Sequence, residues 1–493
     1  MACSKNYLAL DLGAESGRSV IGSFDGGKLA LAEAHRFPNN PVLLPDGLHW
    51  DALRQFSEIK TGIAKGLQQC GGNVASLGID TWGVDYGLLD KKGALLGNPY
   101  HYRDGRTDGM VEKAFRKATR EEIFRITGIQ FMQLNTVFQL FAMAATKSPQ
   151  LEIAQRLLFM PDLFHFWFSG TRCNEYTDAS TSQMLDPVAR TWALPLLEAF
   201  QLPKNILGTL VQPGARLGTL FAPIAQETGL PESLPIIAPA THDTAAAVAA
   251  VPAGSGTWCY LSSGTWSLIG VELDRPIIDE RSLNYNFTNE AGVGGTTRFL
   301  KNVMGLWLVQ ECRRAWEREG KTYGYDELVR LAEQAAPCAA VVDPDDAGFM
   351  LPEHMPRALQ EFCRRTGQNV PGDPGAVVRC ALDSLALTYR RALGVLEEVS
   401  GGRIDVIHIV GGGTQNRLLC QLAADACNRS VIAGPVEATA IGNALMQAVA
   451  LGDLASTADL REVVRNSFSP QRYEPKDSTM WDDAFARFQK ICT

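Results

Sequence analysis

The chain has 493 residues, 46% hydrophobic and 20% charged, and its 46 Lys and Arg against 54 Asp and Glu leave a net charge of −8. This is a globular composition, long enough for two or three domains with full cores. The absence of a basic stripe and of a long uninterrupted apolar segment argues against nucleic-acid and membrane partners.

Met1-Ala2-Cys3-Ser4-Lys5-Asn6 leads straight into a predicted strand without a signal-peptide pattern, so a cytoplasmic protein is expected. The eleven cysteines are scattered with no C-x-x-C pair, which indicates neither a zinc ribbon nor a dithiol motif. Thiols are the expected state, although Cys363 and Cys380, which flank a Gly/Pro-rich loop, could pair under oxidation.

Residues 7–10 and 19–24 read as strands joined by Asp11-Leu12-Gly13-Ala14-Glu15-Ser16-Gly17-Arg18. Small residues let backbone N–H groups converge on an anion. Asp11 ends the first strand; it could hold a divalent metal beside a phosphate or close an Asx-turn. Arg18 could reach a phosphate or be a surface arginine. Glu15 would repel a phosphate unless it points outward, so the turn is expected to act through its backbone.

Apolar spacing predicts a helix over 51–69, and 74–79 and 87–89 read as further strands of the same sheet. Gly78-Ile79-Asp80-Thr81-Trp82-Gly83-Val84-Asp85 interrupts them. Gly83 would let a ligand approach the backbone, and Trp82 could stack on a sugar; a β-bulge glycine with a core tryptophan fits the same string. Tyr102-Arg103-Asp104-Gly105-Arg106-Thr107 lines a polyol site or is a solvated loop. Helices are predicted over 121–128 and 136–146, before a proline-punctuated stretch from 205 to about 235.

Ala240-Thr241-His242-Asp243-Thr244 precedes an alanine-rich helix. Asp243 is the best general-base candidate, its carboxylate kept ionised to orient a hydroxyl and accept its proton. Helix capping by Asp243 or Thr241 is the plainer reading. His242 has no second histidine at ligand spacing, so it reads as a hydrogen-bonding group for a substrate or as a capping-turn residue.

Val251-Pro252-Ala253-Gly254-Ser255-Gly256 marks a boundary, after which 258–262 and 267–272 predict a hairpin around Ser262-Ser263-Gly264-Thr265-Trp266 that echoes the first. A helix is predicted over 303–319, with Asn302 as its cap or a ligand contact. Gln310 shares its apolar face and needs a polar partner. Helices over 325–335, 376–399 and 418–427, strands over 405–410 and 430–433, and a small-residue helix over 438–452 complete the pattern. Val410-Gly411-Gly412-Gly413-Thr414 joins a strand to a helix, another arrangement suited to a phosphate.

The fold class is therefore α/β in two halves with similar openings. Three glycine-rich turns from distant parts of the chain point to one nucleotide phosphate site. No G-x-x-x-x-G-K-[ST] occurs, so this is not a P-loop protein, and the missing G-x-G-x-x-G weakens a dehydrogenase reading.

Taken in order, these segments resemble the FGGY family of carbohydrate kinases along essentially the whole chain. The segments that carry the resemblance include Asp11-Leu12-Gly13 through Arg18, Thr81-Trp82-Gly83-Val84-Asp85, Met160-Pro161-Asp162, His242-Asp243-Thr244, Lys301-Asn302 with Met304-Gly305-Leu306-Trp307, and Ala433-Gly434-Pro435. The resemblance implies two actin-like ATPase (ribonuclease H-like) domains with the active site in the cleft between them. Residues 1–248 would hold the sugar site and first phosphate turn, and residues 249–493 the nucleotide. It implies transfer from ATP to the C1 hydroxyl of L-rhamnulose, in L-rhamnose breakdown, with Asp243 as general base. Gly83, His242, Asp243, Thr244 and Asn302 would contact the sugar. Ala14, Glu15, Ser16, Gly17, Arg18, Thr265, Gln310 and Gly412 would contact ATP, and Asp11 would serve Mg²⁺. A monomer or homodimer is expected. The family's first turn usually reads Ala-Ser-Ser-Gly-Arg, so Glu15 puts any hydroxyl contact there in doubt; Thr414 is a milder departure. The alternatives are another ketose or polyol kinase (fuculose, xylulose or ribulose), a catalytically dead sugar sensor, and an actin-like ATPase that needs no sugar.

Overall fold

Tyr7, Leu8, Ala9 and Leu10 have no exposed surface because they lie on an interior strand, Lys5–Leu12, of a six-stranded sheet. The computed structural model describes residues 4–254, 256–476 and 479–492; Met1, Ala2 and Cys3 of the N-terminal segment and Ser255 of the expected boundary lie outside the described residues. The sheet order is Ala215–Thr219, Pro235–Ala238, Ser76–Thr81, Lys5–Leu12, Ser16–Phe24 and Leu29–Pro38. Lys5–Leu12 forms an antiparallel hairpin with Ser16–Phe24 and runs parallel to Ser76–Thr81, which runs parallel to Pro235–Ala238. Three parallel strands thus end at one edge of the sheet, where loops and side chains are free to meet a ligand.

The chain forms two compact units. One comprises Met1–Pro252, Glu272–Phe299 and Ala438–Phe468; the other comprises Ala253–Val271, Leu300–Glu437 and Ser469–Thr493. The sequence predicts a single cut at 248/249, whereas the compact units are interleaved along the chain. The helix Ala438–Leu451 explains the return to the first unit. Its Ala and Gly face sits directly on backbone, and its polar residues reach into the sheet: Asn443 Nδ2 donates to the Gly78 carbonyl at 3.2 Å and Gln447 Nε2 to the Leu8 carbonyl at 3.1 Å.

In the second unit, Trp258–Ser263 pairs antiparallel with Trp266–Leu273 and parallel with Val406–Val410; Ser430–Ala433 and Gln471–Tyr473 extend the sheet. The helix Pro374–Ser400 has 27 residues; Asp373 caps it by accepting from the Ala376 N–H, and Gly401 in the left-handed region ends it. Cys363 and Cys380 are buried free thiols that lie beside one another. Among the described residues no helix is long and apolar enough to cross a membrane.

Two local expectations are corrected. The helix expected from residue 303 begins at Trp307, and Asn302 lies on the strand Thr297–Met304, so it is not a helix cap. The strand continues because the Met304 N–H is fixed by Asp345 Oδ1 at 2.8 Å. The strand Tyr86–Leu89 is not part of the main sheet; it pairs with Arg156–Phe159. Val84, held at φ 69, turns the chain away after Gly83.

A Cβ at Gly442 would lie far inside contact distance of the Ala246 carbonyl. Backbone cannot retreat as a side chain can. Gly442→Ala is therefore expected to cost about 3 kcal/mol through overpacking, read as a melting temperature lower by several degrees. An unchanged melting temperature would show that the two helices are not in backbone contact.

Candidate active site

Parallel pairing sets Asp11 opposite Asp80, and hairpin pairing sets Arg18 opposite Asp11. Both carboxylates are nearly or fully buried, at 2% and 0% exposed. Asp11 Oδ2 accepts from Arg18 Nε at 2.9 Å and Nη2 at 2.7 Å. Arg18 is thus an ion-pair partner of Asp11. Asp80 Oδ2 accepts from Asn443 Nδ2 at 2.6 Å, while Asp80 Oδ1 is buried with no partner. Burial, and then the charge of Asp11, push the Asp80 carboxyl well above the usual range.

The turn Gly13 to Ser16 closes through the Gly13 N–H onto the Ser16 carbonyl at 3.0 Å, and the Glu15 carbonyl accepts from the Asn39 N–H at 2.9 Å. Gly17 is required by packing, since a Cβ there would enter the Phe37 ring. Ala14, Glu15, Ser16, Gly17 and Arg18 are therefore adjacent to Asp11 in one hairpin.

Past the third parallel strand, Thr81 bridges to His242. Thr241 donates through its N–H and hydroxyl to Glu175 Oε2, at 3.2 and 2.6 Å. The helix Asp243–Ala249 follows. Its N-cap residue is His242, which makes no side-chain cap bond, so neither Asp243 nor Thr241 caps it, contrary to the plainer sequence reading. Asp243 Oδ1 accepts from the N–H and hydroxyl of Thr244. The Asp243 side chain keeps 28% of its surface accessible. Enclosure by protein mass, and then the charge of Asp11, nevertheless raise its pKa to about 7. Near neutrality such a carboxylate can accept a proton.

His242 is buried, and desolvation followed by the positive charge of Arg298 drives its pKa well below the usual value. It is a neutral imidazole. Its Nε2 stands 3.4 Å from Asp243 Oδ1, and its Nδ1 stands 3.0 Å from Arg298 Nη2.

Gly83 faces a wall: a Cβ there would lie 2.9 Å from the Thr181 side chain, and the Val84 N–H donates to Thr181 Oγ1 at 3.0 Å. Trp82 is a core residue. It packs on Trp50 with ring centroids 4.1 Å apart. Asp85 organises this turn: its Oδ2 accepts from Trp50 Nε1, Trp82 Nε1 and the Tyr102 N–H, and its Oδ1 accepts from Gln139. Its pKa rises to about 6, because burial outweighs these bonds. Arg106 donates to Gln139 Oε1 at 2.7 Å and covers the Tyr100 ring. The segment Tyr102 to Thr107 therefore braces the turn and is not a solvated loop.

Asp178 is a candidate site residue the sequence reading misses. It is fully buried, neither carboxylate oxygen has a hydrogen-bond partner, and burial raises its pKa well above the usual value. Its neighbours hold both functional segments: Thr181 binds the Val84 N–H, and Thr177 Oγ1 accepts from the His242 N–H at 3.2 Å. The signal was the run Thr177-Asp178-Ala179-Ser180-Thr181-Ser182, whose polar groups are all buried. Burying so many polar groups is costly unless they have partners.

In the second unit, Thr265 sits in the turn between the paired strands. Its carbonyl accepts from the Gly305 and Trp307 N–H groups at 3.1 and 3.2 Å, which seats the helix Trp307–Arg318 carrying Gln310. The turn Gly411 to Gly413 packs on Ser263, where a Cβ at Gly413 would overlap the Ser263 side chain. A Cβ at Gly412 would meet nothing within 4 Å, so its backbone presents an open face. Thr265 thus lies in the hairpin turn of this unit, Gly412 in a turn packed on it, and Gln310 in the helix seated on it.

A divalent cation suits the first unit: Asp11 and Asp80 face one another with one buried oxygen unpartnered. Among the described residues no three His, Cys, Asp or Glu side chains form a metal cage. Mg²⁺ commonly binds one or two carboxylates plus water and substrate phosphates, so the donor set fits that ion.

Residues 6–250 match the N-terminal domain model, and residues 259–451 the C-terminal domain model, of the FGGY family of carbohydrate kinases. The chain is 43% identical over 485 residues to a rhamnulokinase of Bacteroides thetaiotaomicron, covering 98% of this chain and 99% of that protein. It is 38% identical over 471 residues to a rhamnulokinase of Bacillus subtilis, covering 96% of each. Its fold is similar to a gluconate kinase of Lactobacillus acidophilus (TM-score 0.78, 16% identity, 99% and 96% of the two chains). It is also similar to a Plasmodium falciparum glycerol kinase with ADP (TM-score 0.77, 14% identity, 99% and 98%). With both domain models matched in order along one chain, this protein belongs to the FGGY family of carbohydrate kinases.

Proposed function

We propose that this kinase transfers the γ-phosphoryl group of ATP to the C1 hydroxyl of L-rhamnulose, giving L-rhamnulose 1-phosphate and ADP in L-rhamnose catabolism. The observation that carries this reading is Asp243, a carboxylate with a pKa of about 7 beside a neutral imidazole at the ends of parallel strands. The similarity to rhamnulokinases supports the choice of sugar. Asp243 orients the C1 hydroxyl and accepts its proton as the phosphoryl group arrives. Because the transition state of such transfers is loose, most of the catalytic work is positioning and charge stabilisation.

Gly83, His242, Thr244 and Asn302 join Asp243 in holding the sugar. Ala14, Glu15, Ser16, Gly17, Arg18, Thr265, Gln310 and Gly412 contact ATP, the first five chiefly through the backbone of their turn. Asp11 serves Mg²⁺, which when bound neutralises charge on the phosphates. The Arg18 fork holds Asp11 in one rotamer, and the partnerless Asp80 oxygen supports a cation beside it. This reading makes the protein a cytoplasmic monomer or homodimer.

ADP release from Mg-ATP is the direct test, across L-rhamnulose, L-fuculose, both xyluloses, both ribuloses, glycerol and no sugar. Strong selective turnover with L-rhamnulose is expected. Preference for another sugar would overturn the substrate, and sugar-independent release would overturn the kinase reaction.

Since kcat/KM reports free-enzyme ionisations, it should fall below pH 7 as Asp243 protonates and level off above. Asp243→Asn should lower kcat by about 10²–10⁴ with sugar binding retained; near-normal turnover would remove Asp243 as the base. The same variant should be more stable than the parent at high pH. The folded carboxyl titrates near 7 and the unfolded one near the ordinary aspartate value of 3.8, so parent stability falls as pH rises between them. The gain in melting temperature should be full above pH 7 and vanish near pH 4.

Gly83→Val should raise the KM for sugar about tenfold and leave that for ATP within twofold. Equal losses would indicate misfolding.

A further inference from the structure

His242 lies between two charged groups whose hydrogen-bonding abilities differ. Arg298 has no exposed surface. Its Nη2 is 3.0 Å from His242 Nδ1 and 3.1 Å from Glu290 Oε2, and its Nε donates to the Ala291 carbonyl at 2.9 Å. Glu290 Oε2 is 3.5 Å from His242 Nδ1, beyond a good hydrogen bond. A guanidinium only donates, so Nδ1 must offer its lone pair and the ring proton must sit on Nε2. A doubly protonated ring would set two positive charges against each other in the interior.

We propose that Arg298 is a positioning residue that fixes His242 in the Nε2–H tautomer, so that His242 donates to an acceptor oxygen on the carbon next to the phosphorylated hydroxyl. Three observations give this direction. Nε2 is 3.4 Å from Asp243 Oδ1, too far for a strong bond, which leaves its proton for a ligand. The ring is anchored from behind by the His242 N–H on Thr177 Oγ1. The charged groups around it are Asp243 on its own helix, Glu290 and Arg298; Arg298 alone meets Nδ1 at hydrogen-bond distance. In a ketose phosphorylated at C1, the neighbouring oxygen is that on C2, carbonyl or anomeric, and each of these accepts a hydrogen bond. An alcohol with no oxygen there leaves the donor unpaired, a loss that hydrogen-bonding sites penalise strongly. The assignment of Nε2–H to the sugar rests on the proposed sugar site; the tautomer does not.

The test is a long-range ¹H–¹⁵N correlation spectrum of full-length protein labelled at the histidine ring nitrogens, without sugar or nucleotide. Loss of one ring in His242→Gln assigns His242. The parent should show Nε2–H and a lone-pair Nδ1 from pH 6 to 8. Arg298→Met should show mixed or doubly protonated forms, with a sugar KM at least about tenfold higher and an ATP KM within twofold. Arg298→Lys, also only a donor, should restore the parent tautomer where it reaches Nδ1. Should Arg298→Met fail to fold once the Glu290 charge loses Arg298, Arg298→Met with Glu290→Gln removes both charges for the same measurement. A parent spectrum with the proton on Nδ1, or on both nitrogens, at pH 7 overturns the proposal even where L-rhamnulose is the substrate. So does an unchanged tautomer with unchanged sugar KM in the Arg298 variant. Turnover with a different ketose would change the proposed substrate and leave the tautomer result standing.

Discussion

Two carboxylates side by side on adjacent strands, both out of water, repel each other. The pairing of Asp11 with Asp80 imposes this on the first unit, and Asp243 adds a third acid whose ionisation the charge of Asp11 opposes. Arg18 answers one of the three. The remaining excess of negative charge makes the site receptive to protons or a cation. The surrounding structure holds the acids in place: Asn443 and Gln447, from the helix Ala438–Leu451, bond to Asp80 and to the strand backbones beside it. Close helix packing and acid placement are thus one problem, and the bare Ala and Gly surface of that helix solves it.

The second unit meets a different constraint. Its hairpin turn at Ser263 to Trp266 is covered from two directions, by the loop entering Trp307–Arg318 and by the glycine turn after Val406–Val410. Gly413 is needed for contact and Gly412 is left facing open space. A rigid turn with one exposed backbone face presents N–H groups at little entropic cost.

Much of this was legible in the sequence. Hairpins around Gly13 and Gly264, the small-residue helix near 438 and the placement of Asp243 at the start of an alanine-rich helix follow from local pattern. What was not legible lies in contacts between distant segments. Arg298 reaches His242 across 56 positions of sequence, and nothing around Thr297 announces it. Asn302 reads as a cap because Lys301 to Trp307 has helical spacing; the tie from Asp345 to Met304 keeps the chain extended. Trp82 offers itself as a sugar platform by composition, and only its burial against Trp50 shows that it belongs to the core. Asp178 is invisible in the same way, since what marks it is a buried carboxylate whose oxygens have no hydrogen-bond partner.

The four N–H groups that converge on Asp85 come from Trp50, Trp82, the Tyr102 backbone and Gln139. Three of these donors come from distant stretches of chain and the fourth, Trp82, from the turn itself, so the Gly83 turn is secured at a shared node. Such a node narrows the paths open to divergence. A lineage moving to a new sugar can vary the residues bordering Gly83 only while Asp85 keeps its donors, and replacing Asp85 would release four segments at once. Thr181 is bound into the same turn, since its hydroxyl holds the Val84 N–H, so change in acceptor preference should enter through residues that bond to neither Asp85 nor this turn.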